Sequence, residues 1–374
     1  MKEKYCKIPK FRFNKFLESW ERLKYEDVIE VNSGKDYKHL DKGDIPVYGT
    51  GGYMLSVSEA ITDKDGVGIG RKGTINKPYI LKAPYWTVDT LFFCIPKNKY
   101  NLYFINAIFE RTQWERFDES TGVPSLSKLT INNIQNYFPS FNEQSAIGSL
   151  FRTLDDLLAS YKDNLANYQS LKATMLSKMF PKAGQTVPEI RLDGFEGGWE
   201  EKEFSKLVKR VTQSSDSNSL PKVEFEDIIS GQGRLNKDIS NKFDNRKGIH
   251  FEPGYTLYGK LRPYLNNWLL PKFEGVALGD FWVFDPNGND SNFIYYLVQS
   301  NRYQKVANDT SGTKMPRSDW KSVSSTIFAI PQTVAEQQAI GSYFSNLDNL
   351  IAAHQDKISQ LETLKKKLLQ DMFI

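Results

Sequence analysis

Apolar residues recur along two stretches of this chain in alternating steps of four and three. In the first they are Ile147, Phe151, Leu154, Leu158, Tyr161, Leu165, Tyr168, Met175 and Met179. In the second they are Ile340, Phe344, Leu347, Ile351, His354, Ile358, Leu361, Leu368 and Met372. Lys172 and Lys365 interrupt the two series at the same step. Seven-residue spacing is the mark of helices that supercoil with a partner. It predicts two helices of about 37 residues, each roughly 55 Å long. Neither stretch holds a proline, and Pro181 stops the first. So apolar a stripe needs cover, and the other copy is the simplest partner. The alternative is that each helix packs on its own domain. A second stripe (Leu150, Leu157, Leu171, Leu176) is left over for another subunit.

The two helices are copies. Shifted by 193 residues, Glu143–Phe180 falls on Glu336–Phe373 without a gap, and 17 of 38 positions are identical. A second match, offset by 179, aligns PKFRFNKFLESWE at 9–21 with PEIRLDGFEGGWE at 188–200. Each half therefore reads as an entry strap, a middle and a long helix, the signature of an internal duplication. The middles share almost nothing visible. Both show short β-like runs between glycines and prolines, such as IPVYGTGGYML, GVGIGRKGTI and YWTVDTLFFCIP in the first. GYTLYGKLRPYL and GVALGDFWVFDP are their counterparts in the second, and helical stretches are expected at 101–117 and 290–307. The expected class is α+β: two modules of mixed α/β structure joined by two long antiparallel coiled-coil helices, with a pseudo-two-fold repeat. The expected boundaries are 1–142, 143–180, 181–335 and 336–374.

Composition adds limits. The chain has 374 residues, 40% apolar, with a formal net charge of +4. That charge permits a nucleic-acid partner without requiring one, so any footprint must come from local clustering. No apolar run reaches the roughly 18 residues of a membrane span. The start of the chain shows no secretory pattern, and Cys6 and Cys94 are the only cysteines. A reducing cytoplasm is the expectation.

GIGRKG at 68–73 matches a dinucleotide fingerprint only formally. TINKPYI follows it, Pro78 blocks the helix that fingerprint needs, and no Gly-Lys-Ser/Thr ending makes it a P-loop. A tight turn exposing Arg71 and Lys72 is the better reading, with Thr74 and Lys77 as further donors to phosphate. A plain solvated turn is the alternative. GKLRPYLNN at 259–267 offers Lys260, Arg262, Tyr264, Asn266 and Asn267, types suited to guanine or adenine edges and to phosphates. A polar outer strand face is the alternative there. STGVPSLSK at 120–128 brings Ser125, Ser127 and Lys128; TSGTKMPRSDW at 310–320 brings Lys314 and Arg317. Both loops lie about 20 residues before a long helix, and backbone N–H groups with hydroxyls make phosphate contacts. The three histidines are scattered, no Cys/His metal set exists, and no nucleophile elbow appears. No catalytic residue and no metal site is expected.

At this point the layout resembles the specificity subunit of type I restriction–modification systems. The resemblance rests on the Trp-Glu straps at Trp20 and Trp199, IPVYGTGG at 45–52, GRKGT at 70–74 and KLRPYL at 260–265. It rests also on the Glu-Gln-x-Ala-Ile helix starts at 143 and 336, and on MFPK and VPEIRLDGFEGGWE within 179–200. It covers essentially the whole chain. It implies that each middle is a target-recognition domain and that the helices are an antiparallel spacer. It implies a split double-stranded DNA target, two half-sites around a fixed gap. The partners implied are two adenine-N6 methyltransferase subunits and two ATP-dependent translocase–nuclease subunits. S-adenosylmethionine, ATP and Mg would belong to those partners, leaving this chain without catalysis or cofactor. The competing reading is a stand-alone, two-headed DNA-binding protein, for which the charge of +4 is low.

Overall fold

Two helices of 38 residues, Phe141–Lys178 and Val334–Asp371, dominate the computed structural model. It describes residues 8–242, 245–310 and 314–374. Two compact units form: Met1–Lys162 with Asp356–Ile374, and Asp163–Gln355. Each long helix thus starts in one unit and finishes in the other.

Each unit is best understood from its helix start. In the first, Glu143 is 1% exposed and clamped by Arg12 of the strap, with Nε donating to Oε1 and Nη2 to Oε2, both at 2.7 Å. In the second, Arg191 clamps Glu336 in the same fashion at 2.7 and 2.8 Å. The next residue also repeats its role. Gln144 Oε1 accepts from Asn101 N–H and its Nε2 donates to the Pro139 carbonyl. Gln337 Oε1 accepts from Asp290 N–H and its Nε2 donates to the Pro331 carbonyl. Asn101 and Asp290 in turn cap the helices Leu102–Arg111 and Ser291–Leu297. A Cβ on Gly148 would lie 2.3 Å from Asn101 Oδ1, and one on Gly341 would lie 2.7 Å from Asp290 Oδ1. The duplicated Glu-Gln-x-Ala-Ile-Gly is therefore a joint between strap, long helix and module.

Ile147, Phe151, Leu154 and Leu158 are buried in the first core with Trp20, Phe104, Leu361 of the second helix, and Met372 and Phe373 just past its end. Ile340, Phe344 and Leu347 are buried in the second core with Met179, Phe180 and Phe293, while Ile351 is 9% exposed. Both packing arrangements anticipated for the helices occur: leading turns pack on the module they follow, trailing turns in the other unit's core. Each such side chain contributes roughly 1.5–3 kcal/mol by leaving water. The lysines that break the series are paired. Lys365 lies 2.5 Å from Asp155 and 2.6 Å from Glu110; Lys172 lies 2.6 Å from Asp348. The helix numbers run in opposite senses within each unit, as Lys162–Glu362 (2.7 Å) and Lys365–Asp155 show in the first. Tyr168 against His354 and Lys172 against Asp348 show it in the second. The helices are antiparallel.

The modules are more alike than their sequences. In the first, a four-stranded antiparallel sheet has the order Ile29–Ser33, Leu91–Pro96, Gly66–Gly70, Tyr79–Leu81. In the second the order is Lys209–Val211, Phe281–Asp285, Thr256–Gly259, Trp268–Leu269, the same path through the chain. Each strap leads into a strand that pairs with the last strand before the long helix, Glu21–Lys24 with Gln135–Phe138 and Glu200–Glu203 with Ile327–Ile330. Each module also has one short parallel pairing, Val47–Tyr48 with Trp86–Thr87 and Lys222–Val223 with Val276–Ala277. The expected helix at 101–117 ends at Arg111, followed by a 3-10 turn at Trp114–Phe117. The one at 290–307 is split into Ser291–Leu297 and Asn301–Ala307. Among the described residues no helix is long and apolar enough to cross a membrane.

The joint predicts its own energetics. Arg191→Ala leaves the Glu336 carboxyl, 3% exposed, short of its main partner, so a loss of about 3–5 kcal/mol in chemical denaturation is expected. Arg191→Ala with Glu336→Ala should cost less than the two single changes added together; strict additivity would contradict the joint.

Candidate nucleic-acid interface

The first basic turn grows from the end of a strand. Gly66–Gly70 is buried along its length, and the chain emerges at Arg71. A Cβ on Gly70 would come within 2.0 Å of the Thr74 carbonyl, and Gly73 has φ +87°, so both positions require glycine. No helix follows. The glycines make a tight turn, which is then zipped to the Ser/Thr/Gly loop. Gly73 N–H donates to the Pro124 carbonyl at 2.8 Å, Leu126 N–H to the Arg71 carbonyl at 2.9 Å, and Lys72 bridges Ser125. Arg71 N–H is held by the Thr90 carbonyl. Arg71, Lys72, Ser125, Ser127 and Lys128 line one cleft of about 300 Å³, with Ser33 and Phe92 behind them. Thr74 and Lys77 do not line it.

The second module repeats the zipper hydrogen bond for hydrogen bond. Lys260 N–H donates to the Asp280 carbonyl at 2.9 Å, Ser318 N–H to the Lys260 carbonyl at 2.8 Å, and Arg262 N–H to the Pro316 carbonyl at 2.7 Å; Leu261 bridges Arg317. Arg71 and Lys260 are therefore equivalent, as are Gly73 and Arg262, Ser125 and Arg317, Thr90 and Asp280. GKLRPYLNN is a turn and not the strand face considered for it: the strand stops at Gly259 and Pro263–Leu265 is a 3-10 turn. Arg262 (φ +48°) and Asn266 (φ +55°) are left-handed. For arginine that costs about 1–3 kcal/mol, and such strain collects where a side chain must be aimed. Tyr264 is 58% exposed beside it, whereas Asn267 is buried and unable to reach a ligand. Lys314 is exposed; residues 311–313 of its loop lie outside the described residues.

The charges differ between the two sites. Asp280 takes Arg317 Nη2 at 3.0 Å and lies 3.6 Å from Lys260. The Arg317 hydrogen bond holds its carboxyl below the usual range, so the pair is intact at neutral pH and is lost only as pH falls through that lowered value. Thr90 occupies that place in the first module. Among the described residues no carboxylate is within ion-pair distance of Arg71, Lys72, Lys77 or Lys128. Ser127 is otherwise engaged, since its oxygen accepts from Thr130 N–H as a helix cap and its hydroxyl donates to Glu119. Asp118 orders the loop by accepting from the N–H groups of Ser125 and Ser120. Sequence reasoning missed Asp118 and Asp280; alignment of VDTLFF with LGDFWVF would have set Asp280 against Thr90. Among the described residues no cluster of three or more His, Cys, Asp or Glu could hold a metal ion.

Comparison with known proteins follows the same division. The family model described as "Type I restriction modification DNA specificity domain" matches residues 17–167 and 221–363. The type I restriction enzyme MjaVIII specificity subunit of Methanocaldococcus jannaschii is 21% identical over 276 residues, covering 67% of this chain and 64% of that protein. The chain thus spans less than two thirds of that relative's length. The crystal structure of a type I restriction–modification system S subunit from M. genitalium superposes with a TM-score of 0.70 at 14% identity. The match covers 98% of this chain and 99% of that one, and it is a likeness of fold.

Asp280→Asn frees Lys260 and Arg317 for phosphate. Affinity for duplex DNA at low salt is expected to rise about threefold to tenfold, and the salt dependence to steepen by about one unit for each further phosphate neutralised. Anisotropy titrations across salt concentrations measure both; an unchanged slope would place these cations away from the duplex.

Proposed function

Since the chain belongs to the type I restriction–modification DNA specificity family, we propose that it is the sequence-recognition subunit of such a complex, reading a bipartite duplex target with one half-site per module. The observation that carries this is the duplicated zipper: two equivalent turns at the ends of interior sheet strands, each presenting cations. In each, fixed backbone bonds set the turn while the side chains differ. That is the division expected between contacts that position DNA and contacts that read it. Arg71, Lys72, Thr74, Lys77, Ser125, Lys128, Lys260, Arg262, Tyr264, Asn266, Lys314 and Arg317 remain the proposed DNA-facing set; the hydroxyl of Ser127 serves the helix cap first.

In this reading residues 1–142 and 181–335 carry the recognition domains with their straps, and 143–180 and 336–374 the spacer helices. The chain does no chemistry itself. Two methyltransferase subunits transfer the methyl group of S-adenosylmethionine to adenine, and two translocase–nuclease subunits use ATP and Mg. Leu157 and Leu350, each 41% exposed, are repeat equivalents, as are Leu171 and Leu364 at 36% and 44%. This duplicated apolar face supports two equivalent subunit contacts.

A map of N6-methyladenine in host DNA with and without the gene tests the function. One split motif methylated only in its presence is expected; an unchanged map with the partner subunits expressed would overturn the reading. Deleting one heptad at matched places in both helices is expected to shorten the gap by about 10 Å of duplex and leave both half-sites unchanged. Changed half-site bases would refute the spacer role.

A further inference from the structure

The first unit holds a second basic cleft, about 730 Å³, that the recognition turns do not use. Arg22, Arg111, Arg116 and Lys366 line it with Phe117 and Leu369. Its cations come from the strap strand, the end of a module helix, a 3-10 turn and the last turns of the second long helix. Among the described residues none of the four has a carboxylate within ion-pair distance. The one acidic side chain in the wall, Glu110, is already bonded to Lys365 at 2.6 Å and Asn106 at 2.9 Å, and the terminal residue Ile374 with its carboxylate lines the wall as well.

The repeat shows that the frame does not need these charges. The strand registers set Arg22 against Glu201. The equivalent helix caps Asn101 and Asp290 set Arg111 against Ser300 and Arg116 against Lys305. The helix offset sets Lys366 against Ala173. The second unit folds the same joint with glutamate, serine and alanine at three of the four places. Arg111 is half-buried, and burial pushes its guanidinium below its ordinary value. A half-buried arginine without an anion is a cost that folding does not explain.

The walls narrow the choice of anion. Phe117, Ile134 and Leu369 give an apolar floor that suits side chains rather than a sugar–phosphate chain. Gln135–Phe138 belongs to a two-stranded sheet, so one edge is open, and its residues line the cleft. An extended segment can add to such an edge. In the second unit Arg302 donates its Nε to the Ile327 carbonyl at 2.8 Å, at the place of Gln135, and the corresponding cleft shrinks to about 370 Å³.

We propose that this cleft is a docking site for an extended acidic segment of a partner protein, one per chain, with its carboxylates on Arg111, Arg116, Arg22 and Lys366 and its apolar residues on Leu369 and Phe117. The second unit's cleft has Lys182, Arg302 and Lys305 but about half the volume, with Arg302 bonded across to the Ile327 carbonyl, and is not assigned this role. The proposal does not depend on which DNA is read, or on whether DNA is read.

The test converts the cleft to the second unit's own residues: Arg22→Glu, Arg111→Ser and Lys366→Ala in the full-length chain. These residues are tolerated by the equivalent frame, and an unchanged melting midpoint verifies folding. Two fluorescent probes are titrated at low salt: a short peptide of alternating glutamate and leucine, and a random-sequence DNA duplex. Peptide binding is expected to weaken about tenfold or more while duplex binding stays the same. Lys305→Ala, the control in the second unit, should leave both unchanged. Equal weakening of the duplex would make the cleft a phosphate site and overturn the proposal. Peptide binding that ignores the triple change, or is undetectable on the unaltered protein, would also overturn it.

Discussion

A carboxylate buried at the start of each long helix fixes the rest of this molecule. Glu143 and Glu336 are all but inaccessible, and charges so placed are unstable without partners. Their partners, Arg12 and Arg191, come from straps more than a hundred residues away in sequence. The strap, the module between and the helix must therefore close together. A favourable term also operates, since a negative charge in the first turn meets the positive end of the helix dipole. Gln144 and Gln337 extend the joint to the module helix, and Gly148 and Gly341 leave room for its cap. The Arg, Glu, Gln and Gly that repeat at these positions are used twice in the same way. The strap tryptophans differ, Trp199 Nε1 donating to Glu336 and Trp20 Nε1 finding no acceptor among the described residues. The duplication is thus largely one of interactions and not only of sequence.

The modules show the opposite economy. Their sheets follow one strand order and their basic turns are zipped by the same backbone bonds, yet the side chains are free to differ. Backbone hydrogen bonds depend little on residue type, apart from proline, which cannot donate, and glycine where the chain turns left-handed. Even that is relaxed in the second module, where Arg262 takes the conformation that Gly73 takes in the first. Thr90 and Asp280 occupy one place and change the charge of everything beside them. A fold held by main-chain bonds can exchange the groups on its rim without renegotiating its core.

This explains what could be read in the chain. The helices were legible because burial on one stripe forces a period, and the duplicated joint because buried polar contacts tolerate few alternatives. Lys172 and Lys365 were visible as breaks in the series, but their partners Asp348 and Asp155 lie on the opposing helix, which no period reveals. The likeness of the two middles was not legible, because strand pairing leaves little trace in residue identity. The strand-face alternative for GKLRPYLNN fails because its alternation continues past Gly259, where the backbone turns. The Arg111 cleft was hidden for another reason: residues 22, 111, 116 and 366 meet only after the second helix has packed in the first core.

The differences between the halves carry more information than the likenesses. A duplicated frame starts with two of everything, so a charge present in one half and absent from the other is not required by the frame. Both basic features of the first unit meet that criterion. Its recognition turn has Thr90 where the second has the neutralising Asp280, and its cleft has Arg22, Arg111 and Lys366 where the second has Glu201, Ser300 and Ala173. The net charge of +4 is therefore a poor guide to how this chain meets its ligands. Positive potential is concentrated where cations lack carboxylates, and it is weakened locally where Asp280 takes two of them. Local pairing, rather than total charge, sets which surfaces are open to an anion.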